Sequence, residues 1–99
     1  SDEDMRQFRE ALLDRVVTSR ARAVIIDVMA MDVLDSFATR TLREIAYMTR
    51  LRGARTVLVG VQPEVAMTMV QLGLHLEGVA TALDLEEGLA YLDRLDRRR

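Results

Sequence analysis

Met31-Asp32-Val33-Leu34-Asp35-Ser36-Phe37-Ala38-Thr39-Arg40 is the stretch on which the fold turns. Ahead of it stands a β-branched apolar run, Ala23-Val24-Ile25-Ile26-Asp27-Val28, short enough for a buried strand. Behind it, Leu42, Ile45 and Ala46, joined by Tyr47 and Leu51, recur at helical spacing as far as Arg52. Gly53 then suits the left-handed turn that closes a helix. A strand therefore ends, crosses a short acidic loop, and hands a serine to the first turn of a helix. Serine is among the best residues at a helix N-cap, where its oxygen accepts a backbone N–H. The local pattern reads Ser36 as that cap, with Leu34 and Phe37 as packing residues beside it.

Outward from this stretch the pattern repeats. Ser1 to Thr18 reads as an amphipathic helix through Met5, Phe8, Leu12, Leu13, Val16 and Val17, with Ser1 and Asp4 at its start. Thr56-Val57-Leu58-Val59-Gly60-Val61 is a second buried strand. Gln62-Pro63-Glu64 opens a third helix, because a proline in the first turn gives up an N–H that has no partner there. Val65, Ala66, Met69 and Val70 form its stripe, and Gly73 ends it. Val79 to Leu83 is a short third strand after the connector Leu74 to Gly78. Asp84 with Glu87 marks the start of a last helix, from Leu85 to Asp93 or beyond, with Leu85, Leu89 and Leu92 on one side. Strands alternating with helices imply an α/β domain with a small, largely parallel sheet and right-handed crossovers. One domain over residues 1–99 is expected. The chain starts on a helix and three short strands make a thin sheet, so further strand material is expected ahead of Ser1.

Composition removes several classes of function. The 99 residues include no cysteine, which excludes disulfides and thiolate chemistry and makes the cytoplasm the simplest compartment. No apolar run approaches the roughly 18 residues of a membrane span, and no signal-peptide pattern opens the chain. The formal charge is −2, and only the terminal Arg94, Arg97, Arg98 and Arg99 cluster, so nucleic acid is not an expected partner. His75 stands alone, so no metal or other cofactor is expected. Glycine-rich phosphate loops and the serine nucleophile elbow are absent, and no base or activated nucleophile suggests an enzyme. All fourteen cations are arginine. A phosphoaspartate receiver domain, which uses a lysine, is thereby set aside. A nucleotide- or small-molecule-binding α/β module would lack cationic phosphate ligands in its loops.

Ser36 has a second reading in the same geometry. A hydroxyl at a helix start is open to a kinase, and a phosphate there adds about −1.5 to −2 of charge. The helix N-terminus tolerates that charge, whereas Asp32 and Asp35 oppose it. The expected result is a switch in binding with little internal change.

Several blocks carry a family resemblance: Val24-Ile25-Ile26-Asp27 and Val33-Leu34-Asp35-Ser36-Phe37; Arg52-Gly53-Ala54 and Val57 to Ala66; Leu72-Gly73-Leu74 and Thr81 to Leu89. Together they resemble the STAS (SpoIIAA-like) domain of anti-sigma-factor antagonists, and within it the stressosome branch, with the RsbS-type single-domain scaffolds nearest. The resemblance runs from about Met5 to Leu92. It implies phosphorylation of Ser36 by a switch serine kinase of the RsbT type, which the scaffold sequesters and then releases. It implies assembly with RsbR-like STAS proteins, and control of a general-stress sigma factor. It also implies a partner surface of Met31, Asp32, Asp35, Phe37, Thr39 and Arg40, with Thr68 a weaker second phosphorylation candidate. A simple anti-sigma-factor antagonist and an RsbR-like STAS module are the nearest alternatives. STAS domains begin with strands before their first helix, in line with the strand material expected ahead of Ser1.

Overall fold

The computed structural model describes residues 1–98. Its elements follow in the order α1 (Asp2–Ser19), β1 (Ala23–Asp27), α2 (Ser36–Leu51), β2 (Arg55–Val59), α3 (Pro63–Gln71), β3 (Ala80–Ala82) and α4 (Leu85–Arg97). The alternation expected from the sequence is present in every element. The strands form one parallel sheet in the order β1-β2-β3. Asp27 lies opposite Val59, and Val59 opposite Ala82, so all three strands end level with one another. Their outgoing loops therefore emerge side by side at one end of the sheet.

Alternation along β2 sends its side chains to two different layers. Leu58 joins Ile26, Leu42, Ile45, Val65 and Met69 in the main core, between the sheet and helices α2 and α3. Val57 and Val59 face the opposite way, toward Gly88 of α4. A Cβ at Gly88 would lie 3.0 Å from Val59 Cγ1, so the missing side chain is what lets α4 approach the strands. Helix α1 packs on α2 rather than on the sheet. Beside the edge strand β1, an apolar cleft of about 370 Å³ is lined by Phe8, Leu12, Val16 and Val24 among others.

Two expected apolar stripes are buried only in part: Leu42, Ile45 and Ala46 of α2 are buried and Leu92 of α4 is half-buried, but other members are exposed. On α2, Tyr47 and Leu51 are 63% and 67% exposed, because the buried row runs through Ala38, Leu42, Ile45 and Thr49. On α4, Leu85 and Leu89 are each 54% exposed, whereas Gly88 lies against Val59, Ile25 and Val57 and Tyr91, Leu92 and Leu95 are half-buried. Val70 of α3 is likewise exposed. Thr49 and Thr56 join the end of α2 to the start of β2 through a buried 2.7 Å hydroxyl–hydroxyl hydrogen bond. Among the described residues no helix is long and apolar enough to cross a membrane, and no cluster of three metal-ligating side chains occurs.

Candidate functional site

The loop from Val28 to Asp35 leaves β1 and is fastened at both ends. At its start, Val28 N–H donates to Val59 O at 3.0 Å, and Met31 N–H to Val28 O at 2.9 Å. The Asp27 carboxylate accepts Met29 N–H at 2.9 Å. From the neighbouring loop, Gln62 Nε2 donates to Met29 O at 2.6 Å. Leu34 is buried in the core cluster and Met31 packs against it, so apolar side chains anchor the loop from below.

At its far end the loop enters α2 through Asp35, and here the sequence reading of Ser36 as the cap is corrected. Asp35 has an extended backbone (φ −76°, ψ −179°), and its Oδ1 accepts Ala38 N–H at 2.8 Å. Its carbonyl accepts the first helical bond, from Thr39 N–H at 2.9 Å. Both residues suit the cap chemically. Only the one whose backbone is still extended can fill it, and that is Asp35. Ser36 is the first helical residue, exposed, and its hydroxyl has no hydrogen-bond partner among the described residues. The cap satisfies the amide of Ala38, while the amides of Ser36 and Phe37 remain open at the positive end of the helix.

The expected partner residues separate into two groups. Asp32, Asp35 and Arg40 are exposed, and Met31 and Phe37 are half-buried. Thr39 is 1% exposed and cannot meet a partner, because helical rotation turns it inward beside Ala38 and Leu42. Its Oγ1 is buried without a hydrogen-bond partner. Thr39→Val removes that unpaired hydroxyl at nearly constant shape and is expected to stabilise the fold by about 1 kcal/mol. Differential scanning calorimetry should show a rise in Tm of about 4–8 °C; a fall would mean that the hydroxyl is satisfied. Thr68 is exposed on α3 and donates to Glu64 O at 3.0 Å, a local helix bond.

Three contributors to this end of the molecule escaped the sequence reading. Arg6 of α1 places its guanidinium 5.1 Å from the centre of the Phe37 ring, while it also pairs with Glu3 at 3.4 Å. Gln62 holds Met29, as described. Gly60 has φ +78° and sits so close to Asp27 and Met29 that a Cβ would lie 2.7 Å from Asp27 Oδ1. A glycine directly after a buried strand is a signal for such close approach. The side-chain partners across helices leave no comparable mark in a single sequence.

The STAS domain family model matches residues 3–88. The chain is 34% identical over 97 residues to RsbT co-antagonist protein RsbRA of Bacillus subtilis (strain 168), covering 97% of this chain and 35% of that protein. RsbT co-antagonist protein RsbRC of the same organism is 31% identical over 81 residues, with 82% and 29% covered. The chain thus spans about a third of the length of these curated relatives. A structure of a serine-to-glutamate variant of RsbS from Moorella thermoacetica superposes with a TM-score of 0.81 at 41% identity, covering 96% of this chain and 81% of that one. A chain from the molecular architecture of the stressosome superposes with a TM-score of 0.77 at 43% identity, covering 94% and 81%.

Proposed function

Because the chain belongs to the STAS domain family, we propose that it is a non-enzymatic scaffold of the RsbS type, which holds a switch serine kinase and releases it once Ser36 is phosphorylated. The supporting observation is the exposed, unpartnered Ser36 hydroxyl at the first position of α2, on a loop already fastened by Asp27, Gln62 and Asp35. In the reaction the Ser36 oxygen attacks the γ-phosphorus of ATP. The bond to the β-phosphate breaks, ADP leaves, and the hydroxyl proton passes to the kinase. The scaffold itself need not rearrange. The open amides of Ser36 and Phe37 favour the new charge, while the carboxylates of Asp32 and Asp35 concentrate the repulsion outward, at the docked partner. The kinase is of the RsbT type, RsbR-like STAS proteins are co-assembling partners, and the pathway governs a general-stress sigma factor in the cytoplasm.

Calorimetric titration of an RsbT-type kinase onto wild type, Ser36→Ala and Ser36→Asp tests the switch. Alanine should bind much as wild type does. Aspartate should bind at least about tenfold more weakly, equivalent to about 1.4 kcal/mol, with the deficit shrinking as salt is raised. Equal affinity for the aspartate variant would rule out release by charge.

The RsbR-type relatives favour a second reading, in which this domain is the STAS module of an RsbR-like protein. The higher identity to the RsbS structure supports the first. Light scattering of the chain mixed with RsbR-type proteins separates both from a simple antagonist, which would form no large assembly.

A further inference from the structure

We propose that the kinase-docking face extends beyond the Ser36 loop, across Gly60, to Leu83 and Leu85, and that the part remote from Ser36 receives a partner surface with an apolar centre and a cationic edge. This rests on the kinase-scaffold reading and adds the extent of the face and the chemistry of its partner. The level strand ends put the three outgoing loops side by side. Gly60 occupies the middle: its N–H donates to Leu83 O at 3.1 Å on one side, and Met29 lies against it on the other. Met29 and Leu83 therefore flank one glycine, yet they are 56% and 70% exposed. Val33 in the first loop and Leu85 at the first position of α4 add further exposed apolar surface.

Leu83 is also held in place. Its own N–H donates to Glu87 Oε2 at 3.3 Å, and Glu87 N–H donates to Asp84 Oδ1 at 2.9 Å. The backbone under this exposed side chain is therefore held at both of its polar groups, so a partner that covers Leu83 has no loop backbone left to order there. The charge around it points to the partner's chemistry. Neither residues 23–39 nor residues 56–93 contain a lysine or arginine. Asp27, Asp32 and Asp35 surround the first loop, and Asp84, Glu86 and Glu87 the third, all exposed. Arg6 and Arg40 stand at the α2 side of this surface. A cationic edge on the partner would meet Asp84, Glu86 and Glu87, while an apolar centre covers Met29, Leu83 and Leu85 and the part that faces Ser36 carries no cation to attract a phosphate.

The test is titration of the RsbT-type kinase onto Leu83→Ser/Leu85→Ser and, separately, onto Glu86→Arg. Both leucines are more than half exposed, so circular dichroism and Tm should stay near wild type. The double variant should raise Kd at least about tenfold. Glu86→Arg should raise Kd and flatten its salt dependence. Wild-type affinity in both variants, alongside weakened Ser36→Asp, overturns the extended face and leaves the switch intact. Weakened binding in both, alongside wild-type affinity of Ser36→Asp, supports the face and overturns the switch.

Discussion

Gly60→Ala is expected to destabilise the domain by about 2–5 kcal/mol, and to loosen the loop that carries Ser36. Two effects add. The backbone at φ +78° lies in the left-handed region, where a side chain costs about 1–2 kcal/mol. The new methyl carbon would also sit 2.7 Å from Asp27 Oδ1, 3.2 Å from Met29 Cβ and 3.3 Å from Met29 N. Moving those groups disturbs the hydrogen bond between Asp27 and Met29 N–H, an overpacking term of about 1–3 kcal/mol. Thermal unfolding should shift down by about 8–40 °C, from about 4–8 °C per kcal/mol. Under the proposed function, phosphorylation of Ser36 by an RsbT-type kinase should slow as well. Gly53→Ala is the control, since its φ is +80° but nothing lies within 4 Å of the new carbon. Equal losses in the two variants would show that the close approach at Gly60 contributes nothing.

Ile45→Ala is the second large effect. Ile45 is fully buried in the cluster with Leu42, Leu58, Val65 and Met69, which joins α2 to the sheet and to α3. Truncation leaves a cavity that close-packed neighbours fill only in part, at a cost of about 2–5 kcal/mol. That is a large share of the ~5–15 kcal/mol of a whole domain. The urea midpoint should fall steeply while the m-value holds. Tyr47→Ala, two positions along the same helix but 63% exposed, should change stability by no more than about 0.5 kcal/mol. Similar midpoints for the two would mean that the buried row of α2 had been misplaced.

The contrast between Ile45 and Tyr47 also shows where the sequence becomes ambiguous. Helix α2 carries apolar side chains on more than one face, and a period of 3.6 residues does not say which face the sheet will cover. Helix α4 repeats the difficulty: its leucines suggest one stripe, but Gly88 permits the nearest approach and turns Leu85 and Leu89 outward. At the candidate site the same holds at finer scale. Asp35 and Ser36 are adjacent and both suit a cap, so only the backbone angle at Asp35 separates their roles. Thr39 reads as a surface residue of the motif, yet its helical position buries it.

The sequence by itself determined the alternation of helices and strands, the parallel sheet, the place of Ser36 at the start of α2, and the absence of cations from the flanking loops. Those properties are local: they depend on β-branched runs, turn residues and residue charge, all of which act over a few neighbours. The tertiary structure decided which face of each helix is buried, that Asp35 rather than Ser36 caps α2, that Arg6 reaches Phe37, and that Gly60 brings Met29 and Leu83 to one surface. These depend on packing between segments far apart in the chain, where close approach at a single glycine selects among faces that local preference leaves equivalent.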